Sequence, residues 1–264
     1  MPVPLRKFSQ NWLASDELAL ALVRSMDVQP GHVFLEIGPG EGRMTRSLLQ
    51  HGAAVTAVEL DERCCAALAE LADESLGRLT VIPENILDFD PARVPAPELR
   101  FVGNLPYAIA SPILRWTAKH HQRVVDAHYM VPAEVAERML APAGNSARGL
   151  LSVLVQWFFD GSIVRKLGPG AFRPQPKIDS AFVRLQPHDP PPCAARGPHR
   201  RAVVQGAFAH KRKTLTNSLR QTGWPREAID AALASAGIDA KARAEAVEID
   251  QFARLAEALP ELVE

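Results

Sequence analysis

Residues 33–61 read VFLEIGPGEGRMTRSLLQHGAAVTAVELD, and this stretch decides the fold. Its first five residues form an apolar run typical of a buried strand, and the glycine-rich turn GPGEG follows. A helical pattern then continues to about His51, and Ala54–Glu59 has the pattern of a second strand. Strand, turn, helix and strand in this order predict a parallel sheet covered by helices.

The alternation of strands and helices continues after this stretch. Further helices are predicted at about Glu62–Ala72 and Ala147–Phe159, the second apolar almost all round and therefore buried. Further strands are predicted at Leu79–Pro83, Arg100–Gly103, Val124–Val131, Ile163–Leu167 and Ser180–Leu185. We expect the last two to form an antiparallel pair at one edge of the sheet.

The pattern changes after residue 187. Gln186–Pro198 is dense in proline and lacks periodicity, which is typical of a linker. Only helical patterns follow, at about His199–Thr222, Pro225–Ala236 and Ile249–Leu259. The predicted organisation is an α/β domain at 1–187, a linker at 188–198 and a small helical domain at 199–264.

The composition is that of a soluble globular protein. The chain has 264 residues, of which 47% are hydrophobic and 23% charged, and it lacks a membrane-length apolar run or a secretory signal. Cys64, Cys65 and Cys193 suggest neither a disulfide framework nor a metal site. We therefore expect a cytoplasmic protein without a metal.

The charge is segregated although its sum is zero. The 30 basic residues balance the 30 acidic ones, which by itself argues against a nucleic-acid partner. However, Arg196–Arg220 holds seven Lys or Arg residues and no acidic residue, whereas Arg226–Glu264 holds nine acidic residues against four basic ones.

The glycine-rich turn predicts a nucleoside cofactor. Its GxGxG spacing differs from the GxGxxG of dinucleotide-binding folds, which argues against a nicotinamide oxidoreductase. Glu59 ends the next strand, where a carboxylate can accept both hydroxyls of a ribose. An adenosyl ligand without phosphates suits this pattern, and a tight strand-to-helix connection is the alternative. Glu36 could face a methionine amino group or serve as a structural hydrogen-bonding residue.

The sequence FVGNLPY predicts the chemistry. The lone pair of an exocyclic adenine amine is delocalised into the ring, so the amine is a poor nucleophile. The Asn104 side-chain carbonyl and the Leu105 backbone carbonyl could accept its hydrogens and favour a pyramidal nitrogen. Pro106 stiffens the turn, and Tyr107 offers a flat face for the base. An ordinary turn that ends a strand is the alternative.

The order of these motifs resembles the bacterial small-subunit form of the ribosomal RNA adenine N6,N6-dimethyltransferase family. The segments that carry the resemblance span nearly the whole chain: KFSQNWL, LEIGPGEG, AVELD, GNLPYAIASP, GPGAFRPQPKIDSAFVRL and FAHKRKTLTNSL. The family implies the fold of a class I S-adenosylmethionine methyltransferase, which is a Rossmann-like α/β domain with a mostly parallel seven-stranded sheet, followed by a small all-helical RNA-binding domain.

The resemblance also implies roles for individual residues. Tyr107 and Phe172 would sandwich an adenine flipped out of its stack. Core packing beside Pro174 and Pro176 is the alternative for Phe172. The positions implied to bind S-adenosylmethionine are Asn11, Leu13, Gly38, Glu59, Asn85 and Asn104.

The chain departs from the family pattern in two places. Asn85 stands where the family usually has an aspartate, and its amide oxygen can accept a bond from the cofactor's adenine amine without charge assistance, so we expect weaker binding. Ser9 and Trp12 replace a glycine and a phenylalanine, and Trp12 preserves an aromatic ring.

The family's substrate is a pair of adjacent adenosines, each methylated twice, in the 3′-terminal hairpin of 16S rRNA within an immature small subunit. Arg138 and Arg148 are weaker candidates for RNA contact. The alternative for the basic residues of this region is that they lie on a solvated face. We also expect the protein to be a monomer. The residues predicted to contact phosphates are Arg200, Arg201, Lys211, Arg212 and Lys213.

Two other functions stay open from the sequence. A related enzyme methylates large-subunit RNA, but the FAHKRKTLTNSL and PKID segments favour the small-subunit form. A ribosome-assembly or RNA-binding factor without turnover is supported only by Asn85, and the intact NLPY loop argues against it. An enzyme of this kind could also act as a checkpoint on the immature particle.

Overall fold

The computed structural model describes residues 10–188 and 197–262, which divide into two compact units. The first unit contains the residues up to 136 and 160–187, and the second contains 137–159 and the residues after 187. The start of the KFSQNWL element and the linker residues 189–196, with Cys193, lie outside the described residues. No helix in the described ranges is long and apolar enough to cross a membrane.

Seven strands of the described residues form one sheet. They are β2 (Val33–Ile37), β3 (Ala54–Glu59), β4 (Leu79–Pro83), β5 (Leu99–Asn104), β6 (Val124–Pro132), β7 (Phe159–Leu167) and β9 (Ser180–Pro187). Their order across the sheet is β4, β3, β2, β5, β6, β9, β7. Strands β2 to β6 pair in parallel, β9 is antiparallel to β6, and β7 lies at the edge beside β9. The mostly parallel seven-stranded sheet is therefore confirmed.

Parallel pairing follows from the apolar strands that the sequence provides. Phe34, Leu35 and Val55 are almost wholly buried, as expected for strands covered by helices on both faces. The first unit contains α1 (Asp16–Arg24), α2 (Arg43–Gln50), α3 (Glu62–Glu74) and α4 (Ala110–Lys119), while α5 spans Ala133–Met139. Ser15 caps α1 and Asp61 caps α3 by accepting backbone N–H bonds with their side chains.

Two short strands, β1 (Trp12–Leu13) and β8 (Phe172–Arg173), pair antiparallel in a separate sheet. Trp12 pairs with Arg173 and Leu13 with Phe172. These strands were not predicted from the sequence, because two residues are too few to show a period. Their pairing fixes the amino-terminal segment beside the main sheet of the first unit.

The second unit is helical, but its helix boundaries differ from the prediction. The single helix predicted at His199–Thr222 is wrong: the chain turns at residues 209–214, where Thr214 caps a new helix. The helix predicted at Ala147–Phe159 is shorter in the structure and ends at Gln156. Phe159, the last residue of the predicted helix, begins β7 instead. The helices are α6 (Leu150–Gln156), α7 (Gly197–Phe208), α8 (Leu215–Gln221), α9 (Arg226–Ala236) and α10 (Ile249–Ala258).

The structure differs from the predicted domain boundaries in two respects, one of which is that α7 begins at Gly197, inside the predicted linker. Residues 137–159 belong to the helical unit, although they precede the last strands of the sheet in sequence. The buried face of α6 explains this, because Leu151, Val153 and Val155 are apolar and almost inaccessible to solvent. The helical unit is therefore built from two separate parts of the chain.

Gly103 allows β5 to lie close to the end of β2. A Cβ placed on Gly103 would lie 2.7 Å from the backbone oxygen of Ile37 and 3.2 Å from its Cβ. Real side chains do not approach a backbone oxygen this closely, so only glycine fits here. Because Asn104 is the next residue, this contact also positions the loop that follows β5.

We expect Gly103→Ala to lower the free energy of unfolding by roughly 1–3 kcal/mol, since the added methyl group must displace backbone. Gly168→Ala is the control, because Gly168 has a φ of −76° and open space around its Cα. The control should change stability by less than about 0.5 kcal/mol in denaturant titrations. Equal unfolding midpoints for both variants would contradict the close approach.

Candidate functional site

A cavity of about 260 Å³ opens at the carboxyl ends of β2, β3 and β5 in the first unit. Ligands of open α/β sheets bind at this edge, so the position is the one expected for a functional site. Its walls are formed by the amino-terminal segment, the glycine-rich turn, the ends of the strands and the start of α4. The lining residues are Gln10, Asn11, Trp12, Ile37, Gly38, Gly40, Val58, Glu59, Leu60, Glu84, Asn85, Ile86, Leu87, Asn104, Pro106, Ala108, Ile109 and Ile113.

The glycine-rich turn wraps closely around one side of the cavity. Gly38, Gly40 and Gly42 all have positive φ, which glycine adopts without a steric penalty. A Cβ on Gly40 would lie 2.7 Å from Nε1 of Trp12, so the indole ring packs directly against the backbone of the turn. The aromatic ring at position 12 therefore depends on the glycine at position 40.

Glu59 is held in the cavity by two backbone N–H groups. Its Oε2 accepts from Gly40 N at 3.1 Å and its Oε1 from Asp61 N at 2.9 Å. The residue is 7% exposed, and burial raises the pKa of its carboxyl, although the backbone bonds act in the opposite direction. Because each oxygen keeps a free lone pair, the carboxylate can accept two hydroxyl groups of a ligand.

Glu36 is bonded at the start of α2. Its Oε2 accepts from Thr45 Oγ1 at 2.7 Å. Burial raises its pKa to about 7. This contact supports the structural alternative for Glu36. It also lines a smaller cavity that shares Trp12, Gly38 and Asn104 with the larger one.

Asn104 ends β5 with one polar atom left unbonded. Its Nδ2 donates to the backbone carbonyl of Asn11 at 2.6 Å. A carbonyl can only accept, so this bond fixes which end of the amide is Oδ1. Oδ1 is buried and has no hydrogen-bond partner among the described residues. A buried, unpaired acceptor in a cavity is costly unless a ligand donates to it.

The rest of the loop is equally fixed. Leu105 N donates to the carbonyl of Met130 at 3.1 Å. The Tyr107 hydroxyl shares a short hydrogen bond with Oγ of Ser180, which is fully buried at the start of β9. Tyr107 itself is half-buried, and burial raises the pKa of its hydroxyl. Pro106 lines the cavity between these two anchors.

Phe172 does not line the cavity. It is 0% exposed and packs in the apolar core with Leu13, Met130 and Phe182, because β8 pairs with β1 and directs it inward. The burial of Phe172 fits the core-packing alternative, and its stacking on an adenine opposite Tyr107 stays a prediction. Leu13 is also in this core and borders only the smaller cavity.

Asn85 lines the cavity with both ends of its amide bonded. Its Oδ1 accepts from Leu87 N at 3.1 Å, and its Nδ2 donates to the Asp88 carboxylate at 3.1 Å. These two bonds fix the amide orientation, because Leu87 N can only donate and the carboxylate can only accept. The second lone pair of Oδ1 can still accept from a ligand amine.

Several residues of the cavity were not predicted from the sequence. Trp12 is one of them, because its contact with Gly40 makes it part of the wall. Ile109 and Ile113 form an apolar wall at the start of α4, a helix that was not predicted. Their spacing of four residues on one helix face was the available signal.

In the second unit, four of the five predicted RNA contacts are exposed. Arg201 lies on α7, and the run Lys211–Lys213 lies in the turn before α8 rather than at the head of a helix. Arg200 is half-buried, with its guanidinium 4.4 Å from the ring centroid of Phe158. It therefore packs against an aromatic ring of its own unit.

Arg148 was a weaker candidate for RNA contact, and the structure corrects this. It is 3% exposed, and its guanidinium donates to Ala141 O at 2.7 Å, to Gln156 Oε1 at 2.5 Å and to Val247 O at 3.3 Å. A buried guanidinium that holds backbone carbonyls of its own unit does not reach a phosphate.

Comparisons with known proteins point to one family. The sequence profile described as Ribosomal RNA adenine dimethylase matches residues 5–261. Ribosomal RNA small subunit methyltransferase A of Methylococcus capsulatus is 38% identical over 97% of this chain and 98% of its own. The protein of that name from Pseudomonas putida is also 38% identical, over 96% of this chain and 94% of its own.

Solved structures agree with these sequence relatives. The 23S rRNA methyltransferase ErmE has a TM-score of 0.69 and 28% identity, and the match covers 94% of this chain and 99% of that one. A dimethyladenosine transferase from Plasmodium falciparum has a TM-score of 0.77 at 22% identity, covering 92% and 95%. At 22% identity, the match to the Plasmodium falciparum protein shows a similar fold and no more.

The raised pKa of Glu36 predicts a pH-dependent stability. The folded state binds the proton more tightly than the unfolded chain, so this contribution is complete below the ordinary glutamate pKa and is lost as the pH rises through about 7. Glu36→Gln removes the titration. We expect the variant to gain roughly 3 kcal/mol relative to the wild type between pH 5 and pH 8 in denaturant titrations.

Glu70→Gln on the exposed face of α3 is the control for this comparison. It should follow the wild type at both pH values. A constant difference between Glu36→Gln and the wild type from pH 5 to pH 8 would show that Glu36 does not titrate in this range.

Proposed function

The chain belongs to the ribosomal RNA adenine dimethylase family, and we propose that its substrate is a pair of adjacent adenosines in the 3′-terminal hairpin of 16S rRNA. It is an S-adenosylmethionine-dependent rRNA adenine dimethyltransferase with a Rossmann-like fold. The choice of the small-subunit RNA is supported by the name and the 38% identity of the curated relatives over nearly the whole chain.

The residues of the cavity fit the cofactor. Glu59 offers two oriented oxygens for the ribose hydroxyls, and the Asn85 amide oxygen can accept from the adenine amine. Ile109 and Ile113 supply an apolar wall for the flat base. When bound, S-adenosylmethionine supplies a methyl group on a positively charged sulfur.

The observation that carries the proposal is the unpaired Oδ1 of Asn104. Asn104 lines the cavity, its Oδ1 has no partner among the described residues, and the bond from Nδ2 to Asn11 fixes the orientation of the amide. Oδ1 can accept one hydrogen of the target amine while the Leu105 carbonyl accepts the other. The two acceptors hold the nitrogen with its lone pair available, so positioning and electrostatics provide the catalysis.

No side chain is required to remove a proton before the methyl transfer. An amide oxygen such as Oδ1 of Asn104 is a hydrogen-bond acceptor and a very weak base. The target nitrogen becomes acidic once it carries the methyl group and a positive charge, and the proton then leaves to solvent. Asn104 therefore acts as an orienting acceptor.

Tyr107 supplies the surface on which the flipped adenine stacks. A base inside RNA must leave its stack to reach the cavity, and stacking on an aromatic ring is worth roughly 1–3 kcal/mol. The hydroxyl of Tyr107 is tied to Ser180, so the ring is held in one orientation before the base arrives. Phe172 lies in the core, and its contact with the second face of the adenine stays a prediction.

The helical unit provides the contacts to the RNA backbone. Arg201 and the run Lys211–Lys213 present exposed positive charge suited to phosphates, and no acidic residue lies between Arg196 and Arg220. The partner on this proposal is 16S rRNA within an immature small subunit, bound by a monomer in the cytoplasm. The same enzyme can act as a checkpoint on that particle, because it must bind before it methylates.

The function is tested with purified protein, labelled S-adenosylmethionine and under-methylated small subunits. Digestion of the RNA should yield N6,N6-dimethyladenosine. Asn104→Ala should reduce its formation by about 10²-fold or more, because the oriented acceptor is lost. Asn104→Asp has no N–H for the Asn11 carbonyl and should also fail.

The other outcomes separate the alternatives. A parallel reaction contains large-subunit RNA in place of the small subunits, and incorporation in that reaction alone would support the large-subunit enzyme. Tight binding of small subunits without incorporation would support an assembly factor, and Asn85→Asp would then be the first variant to test for restored turnover. If the enzyme acts as a checkpoint, a catalytically dead variant should block maturation of the small subunit more than a deletion does. Equal effects of the two would contradict the checkpoint role.

The bond between Tyr107 and Ser180 makes a separate prediction. Tyr107→Phe and Ser180→Ala each remove one partner, and each should lower kcat/KM for RNA by roughly 5- to 20-fold while the affinity for S-adenosylhomocysteine stays unchanged. The kcat/KM of the double variant for RNA should be no lower than that of either single variant. Additive losses, or a parallel loss of cofactor affinity, would exclude this positioning role.

A further inference from the structure

Trp12 carries a hydrogen-bond donor at the cavity without a partner. Its side chain lines both the larger and the smaller cavity, and the residue is 9% exposed. Among the described residues, the indole N–H donates to no acceptor. Nε1 of Trp12 is not among the buried unpaired atoms of the described residues, so this donor is open to an acceptor that enters the cavity.

The position of this N–H is fixed by the glycine-rich turn. Nε1 is the indole atom nearest to the place where a side chain on Gly40 would begin, 2.7 Å from the ideal Cβ. The ring is also held from behind, because the backbone of Trp12 pairs with Arg173. The donor is therefore placed in advance between the turn and the two cavities.

The two cavities indicate the direction in which the cofactor lies. The larger one contains Glu59 and Asn85, which suit the adenosine half. On the proposed function, the reacting sulfur lies beside Asn104, and Asn104 is shared by both cavities. The amino-acid end then points towards the smaller cavity, which has a free volume of about 20 Å³ and a wall that includes Glu36, Glu41 and Arg43.

The chemistry of the indole selects one group at that end. An indole N–H can only donate, so it suits a carboxylate and not an ammonium group. Arg43 is the cation on the same wall, but its guanidinium is ion-paired with Asp16 at 2.7 Å and with Glu41. The Trp12 N–H is thus a donor on this wall that is not already bonded to another side chain.

We propose that Trp12 is a cofactor-binding residue whose indole N–H donates to the carboxylate of the methionine end of S-adenosylmethionine. The inference rests on the proposed function for the direction in which the cofactor lies. It is particular to this chain, because the phenylalanine usual at this position in the family has no donor. Trp12 then contributes a bond to the cofactor as well as apolar surface.

The test uses Trp12→Phe, which keeps an aromatic ring and removes the N–H. Calorimetric titrations compare S-adenosylhomocysteine with its decarboxylated analogue, which keeps the amine and lacks the carboxylate. Since a hydrogen bond to a charged group is involved, we expect the variant to bind S-adenosylhomocysteine roughly tenfold more weakly. The analogue should bind the variant and the wild type within about twofold of each other.

Three results would overturn the proposal and can be told apart. Equal losses for both ligands would show that Trp12 acts by packing alone. Unchanged affinity for S-adenosylhomocysteine would show that the N–H makes no bond to it. Binding of neither ligand to the wild type would instead remove the assignment of the cofactor site itself.

A second measurement does not depend on the stability of the variant. The chain has four tryptophans, and the Trp12→Phe spectrum identifies the indole N–H signal of Trp12 in the ¹⁵N-labelled wild-type protein. S-adenosylhomocysteine should shift that proton downfield, and the decarboxylated analogue should not. An equal shift with both ligands would contradict a bond to the carboxylate.

Discussion

The parallel pairing of β2 with β3 and β5 is the constraint on which the site depends. It places the ends of three strands, and thus Ile37, Glu59 and Asn104, at one edge of the sheet. The separation of these strands is set by backbone contact, because Gly103 lies against the Ile37 carbonyl. The glycine-rich turn and the loop after β5 project from this edge, and their spacing follows from that of the strands.

The functional side chains are held mainly by backbone groups. Two N–H groups orient Glu59, and a carbonyl orients Asn104. Backbone atoms in a paired strand or tight turn move little, so polar groups fixed in this way need little reorganisation when charge develops. Tyr107 is the exception, since its partner is the side chain of Ser180. Buried Ser180 begins β9, so this anchor is also part of the sheet.

Most of the sheet and about a third of the cavity-lining residues were predictable from the sequence. Strands β2 to β6 have strong apolar runs, and Gly38, Glu59 and Asn104 follow them at the expected edge. Local patterns could not reveal β1 and β8, because strands of two residues depend on a partner distant in sequence. Phe172 shows the same limit, since its burial is decided by the pairing of Leu13 with β8.

The helical unit was harder to predict in detail. A basic, acid-free run looked like one long helix, but Thr214 caps a new helix and the chain turns before it. Arg148 looked like a surface cation, and its burial depends on carbonyls from Ala141 and Val247, which are far apart in sequence. Charge patterns therefore locate a basic region without deciding which of its cations face the solvent.

The pairing of β1 with β8 determines how late in synthesis the chain becomes able to bind its cofactor. The first strand to leave the ribosome during synthesis finds its partner only after Phe172 and Arg173 have emerged. Until then Asn11 has no fixed place from which to orient Asn104, and Trp12 has no strand behind it. The long-range contact makes closure of the cavity a late step of folding, governed by the entropy of a large loop. A nascent chain that already contains the glycine-rich turn and the NLPY loop is thus still an incomplete binding protein.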